Sequence, residues 1–195
     1  MNYQKAYSIL EQCDSDTVLP KLLQMRRGLN REDFLQLAGV NWSRCNVIDV
    51  FDSEKLWTPR IINAALPDLF TPGTGHIPLM MTSEEEEALA ALPEQVTIYR
   101  GCGPENKYGL TWTLDKTTAE RKRFVMRSYQ SMPLLMTARI NRDNICALKL
   151  NVGAPRIITL QIRSHALGIG KQKLPRVFPE VVEEGVDINS ELALA

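Results

Sequence analysis

Histidine is scarce in this chain, with two among 195 residues, and so is any excess of charge, with 23 basic and 23 acidic side chains. His76 and His165 leave Cys102 without a recognisable activating base, which argues against a thiol nucleophile there. Cys13, Cys45, Cys102 and Cys146 lie far apart with no CxxC pair. That spacing predicts reduced thiols rather than a disulfide framework or a zinc site, and no metal centre is expected. No apolar run approaches the roughly 20 residues of a membrane span. The first residues carry a charge without an apolar stretch behind it, which predicts no signal peptide. Helix-turn-helix, zinc-finger and basic-zipper patterns are absent, so no motif supports nucleic-acid recognition. These absences predict a soluble, cytoplasmic protein with no membrane partner.

What is present is ordinary for a globular chain: 44% apolar and 24% charged residues. The neutral total hides a division. Residues 1–93 hold 8 basic and 13 acidic side chains, a net −5, whereas residues 94–195 hold 15 and 10, a net +5. A basic half suits an anionic ligand, whether a dinucleotide pyrophosphate, a nucleic acid or an acidic protein. It suits mutual neutralisation of two packed halves equally well.

The acidic half reads as helical. Ala6, Tyr7, Ile9 and Leu10 recur at helical spacing, as do Leu19, Leu22, Leu23 and Met25. Asn30 is a suitable N-cap for a helix over Arg31–Ala38, with Gly39 to end it. Thr58 and Pro59 open another helix that Pro67 stops. Thr82 or Ser83 caps a helix over Glu84–Leu92, with Glu85 or Glu86 completing a capping box. The four carboxylates Glu84–Glu87 point in different directions around a helix and complement its dipole, so they read as a solvated helix start.

From Gln95 the period changes. Val96-Thr97-Ile98-Tyr99 and Leu110-Thr111-Trp112-Thr113-Leu114 alternate as strands do. Asp115 caps a helix expected over Lys116–Arg127, and Leu134–Ile140, Ile145–Leu150 and Arg156–Ile162 are three further strands. The expectation is an α+β chain: a helical N-terminal region over 1–93, then a mostly antiparallel β core with a C-terminal tail over 94–195. Gly168-Ile169-Gly170 with Lys171 and Lys173 lacks the ending and context of a phosphate loop. Arg121-Lys122-Arg123 with Arg127 reads as a solvated basic helix face, or as a surface for an acidic partner.

Ile98-Tyr99-Arg100-Gly101, a short glycine-containing loop, and Gly109-Leu110-Thr111-Trp112-Thr113-Leu114-Asp115 form the informative unit. It resembles the nucleotide-binding core of ADP-ribosyltransferase-like proteins. The wider chain, over about residues 30–163, resembles uncharacterised phage and prophage proteins with that core. Trp42-Ser43-Arg44-Cys45-Asn46 is similar to their helical segment. The resemblance implies NAD as cofactor and a cofactor site of Tyr99, Arg100, Gly101, Thr111 and Trp112. Arg100 would hold the pyrophosphate, Thr111 the nicotinamide ribose, and Tyr99 or Trp112 would stack on nicotinamide.

The family also carries a catalytic glutamate on the strand after the helix. Here the corresponding stretch, residues 151–159, holds no acid, and Ala154 and Arg156 stand in its place. A guanidinium there opposes a developing ribosyl cation, and losing one preorganised contact already costs about 10²–10³ in rate. Glu180, Glu183 or Glu184 in the tail could supply the acid, giving Arg100, Thr111 and Glu180 as a catalytic set. Otherwise Glu183-Glu184-Gly185 is a solvated turn. Two readings therefore stand: a phage-type effector that transfers ADP-ribose from NAD to a host macromolecule, or a non-enzymatic binding protein, a counter-defence or host-takeover inhibitor, that keeps the fold as a scaffold. If the site binds NAD, Arg100→Ala weakens that binding while barely moving the melting temperature; if Arg156 occupies the glutamate's place, the chain shows little or no NAD cleavage and Arg156→Glu restores a measurable rate.

Overall fold

A computed structural model describes residues 1–45, 77–102, 109–121, 134–150, 155–159 and, as backbone, 180–185. Helices α1 (Tyr3–Glu11), α2 (Val18–Met25) and α3 (Arg31–Trp42) come first, and α4 (Ser83–Ala90) follows a short 3-10 turn at Pro78–Met80. Then come β1 (Gln95–Cys102), β2 (Thr111–Thr113), the short helix α5 (Lys116–Glu120), β3 (Leu134–Asn141), β4 (Ile145–Lys149), β5 (Arg156–Thr159) and β6 (Glu180–Gly185). The strands form one antiparallel sheet in the order β4-β5-β2-β1-β3-β6. The α+β class is as the periodicities predict. No helix among the described residues is long and apolar enough to cross a membrane.

The sheet separates two apolar clusters. On one face, Ala147 and Ile158, opposite each other in the register, join Leu10, Leu19, Leu22, Leu35 and Trp42 of the first three helices. On the other, the row Leu148, Ile157 and Trp112 continues into Ile98, Ala138 and Met136. The first cluster crosses the expected boundary at residue 93, so the helical region and the β core share one interior.

Local chemistry explains the helix ends. The Asn30 side chain accepts from the Asp33 N–H at 2.7 Å, and Thr82 with Glu85 forms a complete capping box. Three expectations need correction. The helix opened by Asn30 runs through Gly39 to Trp42. Gly39 serves close approach instead: a Cβ there would lie 2.3 Å from the Met80 carbonyl oxygen and 2.6 Å from its Cα, because the Pro78–Met80 backbone lies directly on the helix. The helix opened by Asp115 ends at Glu120, where Arg121 turns to an extended conformation. Glu183-Glu184-Gly185, read above as a turn, belongs to a strand, Glu180–Gly185, paired with β3. The helix expected from Thr58 to Leu66 lies outside the described residues.

Glu85 corrects the solvated reading of the four glutamates. Glu84, Glu86 and Glu87 are exposed, but Glu85 is buried against Lys149 of β4, with Nζ 2.6 Å from Oε2 and each side chain only 3% exposed. The same carboxylate accepts from the Thr82 N–H at 2.9 Å and the Leu150 N–H at 3.1 Å. Leu150 N–H is an outward-facing group at the end of an edge strand. The next two along that edge are also taken, as the Leu148 N–H meets Met81 Sδ and the Cys146 carbonyl accepts from the Ile77 N–H. Arg142 holds the far end of α4 by donating to the Ala90 and Leu92 carbonyls. The segment from Ile77 through α4 thus seals the β4 edge against pairing with another chain.

Burial pushes the Glu85 carboxyl upward. Hydrogen bonds from Lys149, Thr82 and Leu150, with the lysine's charge, outweigh that and hold it below its ordinary value of 4.5. Its stabilisation is therefore present above about pH 4.5 and lost as pH falls through the still lower folded value. Glu85→Ala should lower unfolding stability in urea by about 3–5 kcal/mol, the cost of stranding a buried partner charge. Glu86→Ala should change it by less than about 0.5 kcal/mol. Gly39→Ala, a change that normally favours a helix, should here be destabilising, because its methyl meets rigid backbone; thermal unfolding checks it.

Candidate functional site

Arg100 sits on β1 with the parity of Val96 and Ile98, so its side chain enters the buried face of the sheet. It is 5% exposed, and its guanidinium donates to the Thr111 carbonyl across to β2. The chain passes over it at Gly109, where a Cβ would lie 2.2 Å from one guanidinium nitrogen. A glycine in the loop between β1 and β2 is thus the space that Arg100 fills. Trp112 lies in the same interior at 2% exposure, and its indole N–H donates to the Gly109 carbonyl at 3.0 Å. Stacking on a ligand needs a free ring face, and Trp112 is packed with Ile98, Met136 and Ile157 instead.

Thr111 and Thr113 point to the opposite face from Trp112. There Thr111 Oγ1 accepts from the Trp42 indole N–H at 3.2 Å. Arg156, on the same face of β5 by its register with Thr113, donates to the Ser43 carbonyl at 3.2 Å. Ser43 is the C-cap of α3, and a guanidinium against a helix's last carbonyls also complements its dipole. The C-terminal turn of α3 therefore covers the sheet where a ribose-contacting threonine and a catalytic acid were expected. Ala154 lies outside the described residues.

Tyr99 is half-buried and registers with Thr113 and Thr137, on the face opposite Arg100. Gly101 registers with Leu135 of β3. In β6, Glu180 registers with Arg139, Glu183 with Met136 and Glu184 with Leu135. Arg100 registers with Met136, so the face it enters is that of position 183, and position 180 belongs to the other. The catalytic set of Arg100, Thr111 and Glu180 is thus divided between the two faces. The carboxylate nearest in sequence to Thr111, Asp115, caps α5 and accepts from the Thr117 and Thr118 N–H groups. The Thr118 hydroxyl holds it below the usual carboxylate range.

The cysteines are equally occupied by structure. Cys102 is fully buried, and burial pushes the Cys45 thiol up to about 12 despite Arg44 and Arg156 nearby. No group of three or more metal-ligating side chains occurs among the described residues. His76, His165, the glycines and lysines of 168–173, and Lys122, Arg123 and Arg127 lie outside them. Three residues that organise this region do so through contacts the sequence reading does not assign to them: Trp42, Glu85 and Lys149. Lys149 is marked in the sequence as a lysine inside the apolar strand Ile145–Leu150.

Comparison with protein-family models, with curated proteins and with solved structures finds no match.

The geometry reverses one expectation. Arg100→Ala should leave the Thr111 carbonyl without its donor and open a void beside Gly109. It should lower unfolding stability by about 1–3 kcal/mol in a denaturant titration. An unchanged midpoint would return Arg100 to the ligand role.

Proposed function

We propose that this chain acts by binding and not by catalysis: a phage-type effector that keeps an ADP-ribosyltransferase-like scaffold and engages a host protein by steric occupation. One observation carries the reading. Two groups that the family resemblance assigns to NAD are taken up by the fold, Arg100 by the Thr111 carbonyl and Thr111 by Trp42, and Arg156, which stands in the place of the family's glutamate, donates to the end of α3. Phosphate recognition needs a guanidinium whose donors reach the ligand, and Arg100 sits beneath the backbone of Gly109. Stabilising a ribosyl cation needs an acid near the ribose-facing threonine, and Asp115 is committed to a helix cap. The host setting, a bacterial cytoplasm, follows from the resemblance to phage proteins.

Calorimetry with NAD up to millimolar concentration should show no binding heat, and labelled NAD in host lysate should give no transfer. Arg156→Glu should create no activity and should lower the melting temperature, because it replaces a donor at a helix C-terminus with a charge the dipole opposes. Saturable NAD binding that Tyr99→Ala abolishes would overturn the proposal in favour of a transferase.

A further inference from the structure

A groove of about 370 Å³ opens between α1, α3 and the segment that seals the β4 edge. Tyr3, Gln36, Val40, Leu79, Glu86 and Lys149 line it, together with Met80 and Met81. Val40 and Leu79 are 46% and 36% exposed, two of the three large apolar side chains that the described residues leave in solvent. Two such side chains flanking one concavity differ from scattered surface hydrophobes, which need no explanation.

Two charged residues line this groove, Glu86 and Lys149, and the lysine is paired with Glu85. Glu32 stands one turn before Gln36 on the exposed stripe Glu32, Gln36 and Val40 of α3. The lining cation, Lys149, is offset by Glu85 at 2.6 Å. Two of the three Lys149 ammonium protons go to the Met80 carbonyl and Glu85 Oε2. The third has no acceptor among the described residues, although the side chain is almost wholly buried at the wall of the groove.

We propose that this groove docks an exposed segment of a protein partner that carries apolar side chains flanked by lysine or arginine. The inference rests on the binding reading above and gives that reading a surface. Val40 and Leu79 receive the apolar side chains, Glu86 and Glu32 the flanking cations, and the remaining Lys149 proton a backbone carbonyl of the docked segment. The acidic rim selects against acidic partners and speeds encounter with basic ones.

The test is fluorescence polarisation with a labelled short peptide holding two adjacent leucines between lysines. Two counterparts serve as controls, one with the lysines replaced by glutamate and one with the leucines replaced by serine. The leucine–lysine peptide should bind at least about tenfold more tightly than either counterpart. Val40→Asp and Leu79→Asp, both at exposed positions, should each weaken it by about tenfold or more with the melting temperature unchanged. Glu86→Lys should weaken it and flatten its salt dependence.

No binding, equal binding of all three peptides, or binding indifferent to these variants overturns the proposal. So does sedimentation showing a dimer that Val40→Asp dissociates, since the occupant is then a second copy. NAD calorimetry touches none of these residues, so failure of the groove and failure of the non-catalytic reading give separate results.

Discussion

One carboxylate, that of Glu85, holds together three things that would otherwise be independent. It closes the first turn of α4, neutralises the buried Lys149, and takes the Leu150 N–H at the end of the outermost strand. Each of these groups alone is costly: an open helix end, a charge out of water, an unpaired sheet edge. Joined, they fix where α4 lies, and α4 together with the Pro78–Met80 turn fixes the edge of the sheet. The Met80 carbonyl extends the network, accepting from Lys149 while its backbone lies on Gly39 of α3. Helix, turn, strand and helix are thus registered through a few atoms, and a change at any of them is transmitted to the others.

The sheet itself divides its labour between faces. One face is an apolar interior in which even Arg100 is enclosed. The other meets the three N-terminal helices over β4, β5 and β2, and leaves Thr97 and Arg139 of β1 and β3 exposed. A nucleotide-binding cleft needs a stretch of strand with polar groups and no cover. Here the polar stretch at Thr111 and Arg156 is the seat of α3.

How much of this was legible follows from the range of each signal. Caps are read within four residues, so Asn30, Thr82 with Glu85, and Asp115 stand where the sequence places them. Strand signals are local too, and the five strands read from them are present, whereas Glu180–Gly185 is not read as a strand from its sequence. Parity could have told more: Arg100 shares its phase with Val96 and Ile98, which already assigns it to the buried face. A glycine that ends a helix and one that admits a neighbouring backbone look alike in sequence, so Gly39 was misread. The partners of Glu85, Thr111 and Arg156 lie 64, 69 and 113 residues away, beyond any periodicity.

Those long separations have a consequence for how the chain comes to be folded. Synthesised from its N-terminus at roughly 5–20 residues per second, the chain finishes α3 many seconds before Thr111 and Arg156 exist to receive it. Throughout that interval Trp42, Phe34 and Leu35 have only neighbouring helices to cover them. The stripe that later meets the sheet stays open to solvent, chaperones or another nascent chain. Premature termination anywhere before β5 would leave that surface exposed for good. The cell would meet such fragments as sticky helices, not as a smaller version of the protein.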